Sequence, residues 1–127
     1  MKEWLEKIMI ASNMYLTTPD LFQGKTESVR DLYQLLLGEL KKLGPIQVTL
    51  KSISISLENR RAFASALIRN RSIKLVLRTN HKIVSPRIRS MEHVAKTSYD
   101  HTIFIESKND IDEELMKWLA DAYHTSS

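Results

Sequence analysis

No cysteine occurs in the 127-residue chain. Disulfide frameworks, zinc–thiolate sites, iron–sulfur clusters and thiol nucleophiles are therefore all excluded. Three glycines are too few for a Gly-rich phosphate loop. No run of about 18 uninterrupted apolar residues exists, so no membrane span and no membrane partner are expected. Glu3 and Glu6 do not suit a signal peptide, and a polar face of mixed sign does not suit a membrane-surface helix. A cytoplasmic location is the expectation. No Gly-x-Ser-x-Gly elbow surrounds any serine. The histidines at 81, 93, 101 and 124 lack the i, i+3 or i, i+4 spacing of helical metal ligands. No catalytic residue, metal or cofactor is predicted.

Forty-three per cent of the residues are apolar and 27% charged, an ordinary globular composition. The length fits one domain, 1–127, with a core that needs no staples. Its charge is unevenly spread. Residues 1–59 balance, with seven basic and seven acidic residues. Residues 60–96 hold ten Lys and Arg against Glu92 alone, and residues 97–127 hold two basic against seven acidic. An arginine-rich middle favours phosphate or carboxylate partners. The candidate anion-binding residues are Arg69, Arg71, Lys74, Arg78, Lys82, Arg87 and Arg89, and nucleic acid is the candidate partner. The competing expectation pairs these cations with Asp112, Glu113, Glu114 and Asp121 inside the same domain.

Periodicity predicts the fold. Residues 2–16 and 26–43 carry apolar stripes at helical spacing, separated by Thr17-Thr18-Pro19-Asp20. Gly44-Pro45 stops the second helix. The period then falls to two. Ile46, Val48 and Leu50, and then Ile53, Ile55 and Leu57, alternate with polar residues, predicting two half-buried strands with Ser52, Ser54 and Ser56 on the solvated side. Further strands are expected at 62–68, 73–78 and 101–106, with a turn at 58–61. Residues 79–98 read as irregular, with a short helix near 89–96. Asp110 and Glu113 then suit the start of a last helix, 110–124, whose first turn is acidic. The expectation is an α+β fold: an antiparallel sheet of about five strands with N-terminal and C-terminal helices packed on one face.

Two further constellations invite chemistry. Glu106-Ser107-Lys108 with Asp100 has the residue types of a metal-dependent nuclease, but the lysine falls at a strand end. Tyr99, Asp100 and His101 form the second constellation. Tyr and His can donate to an anion and Asp can orient the imidazole, which makes a small enzyme or small-molecule site the alternative to a binding module. Strand-end packing accounts for the same trio.

The order of segments also carries a resemblance. A Pro19-Asp20-Leu21-Phe22-Gln23-Gly24-Lys25 hook precedes a Leu-rich helix ending in Lys42-Leu43-Gly44-Pro45. Arg61-Ala62-Phe63-Ala64, Tyr99-Asp100-His101 and Ile103-Phe104-Ile105-Glu106-Ser107 follow, then Asp110-Ile111-Asp112-Glu113-Glu114-Leu115 with Trp118-Leu119 and Ala122-Tyr123. Over residues 18–124 the chain resembles the prokaryotic domain of unknown function numbered 5655, leaving 1–17 as an N-terminal helical extension. Some members of that family carry the label "predicted transport protein", and some place the domain behind a nuclease-like one. The resemblance supports the fold and boundaries, brings no catalytic residues, and points toward a nucleic-acid context. The preferred functional reading is a non-catalytic binding module with a basic face.

Overall fold

The first described helix owes its start to Thr26, whose side-chain oxygen accepts from the Val29 N–H at 3.3 Å. This satisfies one of the donors that a helix N-terminus leaves free. In the computed structural model, which describes residues 21–126, this helix is α1, Glu27–Lys41. Val29, Leu32, Tyr33, Leu36, Leu37 and Leu40 form its buried stripe. The helix expected at 2–16 lies outside the described residues. Beyond α1, Gly44 adopts φ +145°, a conformation that side-chain-bearing residues avoid.

Six strands follow: β1 Gln47–Leu50, β2 Ile55–Glu58, β3 Ala62–Ile68, β4 Ile73–Thr79, β5 Ser90–Ala95 and β6 Ser98–Ile105. They form one antiparallel sheet in the order β1-β2-β3-β4-β6-β5. A short 3-10 turn, Lys108–Asp110, leads to α2, Glu113–Thr125. Asp112 caps α2, its carboxylate accepting from the Leu115 N–H at 3.0 Å, and Glu113 and Glu114 occupy the first turn. The negative charge there complements the helix dipole.

Strand alternation sorts the sheet into two faces. In register across β3, β4 and β6 stand Ala64–Leu77–His101, Ala66–Leu75–Ile103 and Ile68–Ile73–Ile105. All nine side chains are buried. Both helices pack on this inner face, α2 against β3 and β4, and α1 against β4 and α2. Ser65, Leu67, Lys74, Val76, Asp100, Thr102 and Phe104 occupy the opposite, outer face and are half-buried. No described element covers that face. Between Leu57 and Glu58 the partner on β3 jumps from Ala64 to Ala62, so Phe63 is the extra residue of a bulge. Bulges re-aim side chains. Here the Phe63 ring is buried and meets Tyr123 of α2 edge-on at 5.5 Å.

Four local expectations need correction. The sheet has six strands rather than about five, because residues 90–95, where a short helix was expected, form the edge strand β5. β2 starts at Ile55, so Ile53 is not an inward residue: it sits in the β1–β2 turn with 69% of its surface exposed. Ser56 is buried rather than solvated and donates to Glu58 at 2.9 Å. β6 starts at Ser98, which brings Tyr99, Asp100 and His101 inside the strand.

Candidate anion-binding face

Phe104 lies on the outer face because its neighbours Ile103 and Ile105 are the ones buried against the helices. Cations gather around it. The Arg69 guanidinium carbon stands 5.4 Å from the ring centroid and that of Arg89 stands 5.1 Å from it, both within cation–π range. Lys74 is the residue directly opposite Phe104 in the β4–β6 register, where side chains on one face are close neighbours. Backbone bonds place the two arginines. The Arg69 N–H donates to the Ser72 carbonyl at 2.8 Å, closing the β3–β4 hairpin, and the Arg89 N–H donates to the Thr102 carbonyl at 2.8 Å. The hairpin turn is itself tied to the start of α1, since the Asn70 carbonyl accepts from both the N–H and the hydroxyl of Thr26. Arg71, at the tip of that turn, is exposed.

The seven candidate cations divide into three groups. Arg69, Lys74 and Arg89 gather around Phe104, with Arg71 on the adjacent turn. Arg78 and Arg87 have intramolecular partners. Arg78 makes a two-pronged contact with Asp100 at 2.7 and 2.9 Å, and this pairing raises its already high pKa. Arg87 donates to Asp112, to Glu114 at 3.0 Å and to the Asp110 carbonyl at 2.8 Å, and lies 5.7 Å from the Trp118 ring. It pins the long β4–β5 loop to α2. Lys82 stands apart, exposed in that loop. Among the described residues, Arg69, Arg71, Lys74, Lys82 and Arg89 have no carboxylate within ion-pair distance. Pairing with the C-terminal helix thus describes Arg87 but not the group around Phe104.

Tyr99, Asp100 and His101 do not converge. The twofold strand period sends Asp100 to the outer face, beside Arg78, and His101 to the inner face, fully buried. The imidazole Nε2 of His101 accepts from the Ile83 N–H at 3.0 Å, which assigns the neutral form with the proton on Nδ1. Burial lowers the His101 pKa below its ordinary value of 6.5, because a charged ring is poorly solvated there. Nδ1 has no hydrogen-bond partner among the described residues. His101 thus acts as an anchor for the β4–β5 loop, with Ile83 buried behind it. Tyr99 stacks on His93 of β5, with centroids 4.4 Å apart and planes 13° apart. Glu106 and Lys108 are exposed at the end of β6. No group of three His, Asp or Glu placed to hold a metal ion occurs among the described residues. Nor is any described helix long and apolar enough to cross a membrane.

Phe104 is the central residue of the cluster, and charge counting alone does not single it out. The signal was present in the Ile-Phe-Ile alternation, which turns the phenyl ring away from the helices.

No curated protein matches the chain, and no solved structure matches it. A family model does, over residues 18–126. The chain belongs to the family described as Domain of unknown function (DUF5655).

Proposed function

We propose that the domain is a non-catalytic binding module that holds a phosphate-bearing polyanion, nucleic acid foremost, on the outer face of its sheet. One observation carries the reading: Arg69 and Arg89 flank Phe104, with Lys74 alongside, and none has a carboxylate partner among the described residues. Cations without such partners on a solvated surface favour an external anion, and binding releases the counterions of the polymer. Planar guanidinium groups held over an aromatic ring present fixed donors to phosphate oxygens and flat surfaces to bases. The phosphate chain supplies affinity and little sequence information, so recognition is expected to be weakly sequence-dependent. This reading places the module in the prokaryotic cytoplasm, where such polymers are concentrated.

The reading is tested by NMR titration of the full chain with a short single strand and a short duplex. Shifts centred on Arg69, Lys74, Arg89 and Phe104 support it. Shifts confined to Asp100 and Glu92, its opposite residue on β5, or none at low salt, overturn it.

A further inference from the structure

A second cationic constellation lies away from Phe104. Where β3 begins, β4 ends and β6 begins, the last turn of α2 borders a small cavity of about 80 Å³. Arg61 and Arg78 line it, together with Thr79, Ser98, Thr125 and Ser126. A cavity needs only about 10–15 Å³ of such space to hold one water, so this one has room for a compact group of a few heavy atoms. Each arginine side chain has an intramolecular partner and still holds unused donors. Asp100 takes Nε and Nη2 of Arg78, leaving Nη1 without a hydrogen-bond partner among the described residues. Arg61 gives one bond from Nη2 to the Thr125 carbonyl at 3.0 Å, and its backbone N–H donates to the Ser126 carbonyl at 3.1 Å. No carboxylate lies within ion-pair distance of Arg61 among the described residues, and Ser98 has no hydroxyl bond there.

Two arginines are among the residues that line the cavity, and one of them is paired with Asp100. Hydrogen bonds from arginine to an anion are charge-assisted and short. Arg61 comes from just before β3, Arg78 from the end of β4 and Ser98 from the start of β6.

We propose that this cavity is a binding site, separate from the outer basic face, for a compact tetrahedral oxyanion: free phosphate or the phosphoryl group of a monoester. Arg61 and Arg78 hold the oxygens, Ser98 donates, and Asp100 is a positioning residue that fixes the plane of Arg78.

Amide NMR of the full chain, titrated with inorganic phosphate against chloride at matched ionic strength, tests the site. Saturable shifts at Arg61, Thr79, Ser98 and Ser126 are expected. R61Q weakens binding about tenfold or more. D100N weakens it by less while leaving the spectrum folded, and R61K retains part of the affinity. Glycerol phosphate separates the two sources: equal affinity identifies free phosphate as the ligand class, and tighter binding identifies a monoester. R69A/R89A leaves the phosphate titration unchanged, so this site and the outer face succeed or fail independently. The absence of saturable shifts overturns the proposal, as does unaltered binding by folded R61Q, or shifts that centre on Phe104.

Discussion

Replacing Gly44 by alanine probes how the two helices are locked together. Gly44 has φ +145°, and a β-carbon there would collide with the hydroxyl of Tyr123. That hydroxyl donates to the Pro45 carbonyl at 2.9 Å, tying α2 to the segment that leaves α1. Two costs follow. Backbone strain in a region that non-glycine residues avoid costs about 1–3 kcal/mol. Displacing the hydroxyl forfeits a hydrogen bond worth about 1 kcal/mol. Alanine recovers under about 1 kcal/mol by restricting the unfolded chain, and only where its native conformation is accessible. That recovery does not apply at this φ, so the net expectation is a loss of about 2–4 kcal/mol. Y123F alone loses the hydrogen bond and costs about 1 kcal/mol. In the Y123F background G44A no longer meets an oxygen, so the two changes couple by about 1 kcal/mol. Urea unfolding followed by circular dichroism of the four proteins closes the cycle. A neutral or stabilising G44A, or strict additivity, would refute the close approach and the strained backbone together.

Two further outcomes follow from buried and clamped groups. His101 has a folded-state pKa below 6.5, so below that pH the unfolded chain binds the extra proton and stability falls until the folded-state pKa is passed. H101Q, which keeps an acceptor for the Ile83 N–H, flattens this acid limb; an unchanged limb in thermal melts from pH 7 to pH 5 contradicts the assignment. R87A removes the ion pairs to Asp112 and Glu114, the bond to the Asp110 carbonyl and the contact with Trp118. It is expected to cost about 1–2 kcal/mol and to speed hydrogen exchange in residues 80–89, and exchange unchanged in that loop would count against the clamp.

The physics of burial decides which parts of the fold are legible in the sequence. Helix α1 and helix α2 each bury one stripe, so Val29, Leu32, Leu36 and Leu40, or Leu115 and Leu119, recur at helical spacing. β4 alternates cleanly because Ile73, Leu75 and Leu77 face the helices while Lys74, Val76 and Arg78 do not. β5 has no such pattern. All six of its residues are exposed, as an edge strand beyond the reach of both helices must be, and without a buried face the twofold period disappears. Ile53 misleads for the opposite reason: it continues an alternation that the backbone has already left to make a turn, where the Lys51 N–H donates to the Ser54 carbonyl. The split of Tyr99, Asp100 and His101 was readable once the strand was known to start at Ser98, because adjacent residues cannot share a face. The pairing of Arg87 with Asp112 and Glu114, and the gathering of Arg69, Lys74 and Arg89 at Phe104, join separate strands and loops. No local pattern encodes those meetings; the register does.

The salt dependence of nucleic-acid binding, measured by fluorescence anisotropy for the wild type and R69A/R89A, tests the central claim most directly. Three cations around Phe104 predict log affinity falling against log salt with a slope of about −2 for a single strand and about −3 for a duplex. The double variant should lose most of that slope, keep the same sequence tolerance and melt at nearly the same temperature. Undetectable binding at low salt, or a slope unmoved by losing both arginines, would contradict the account.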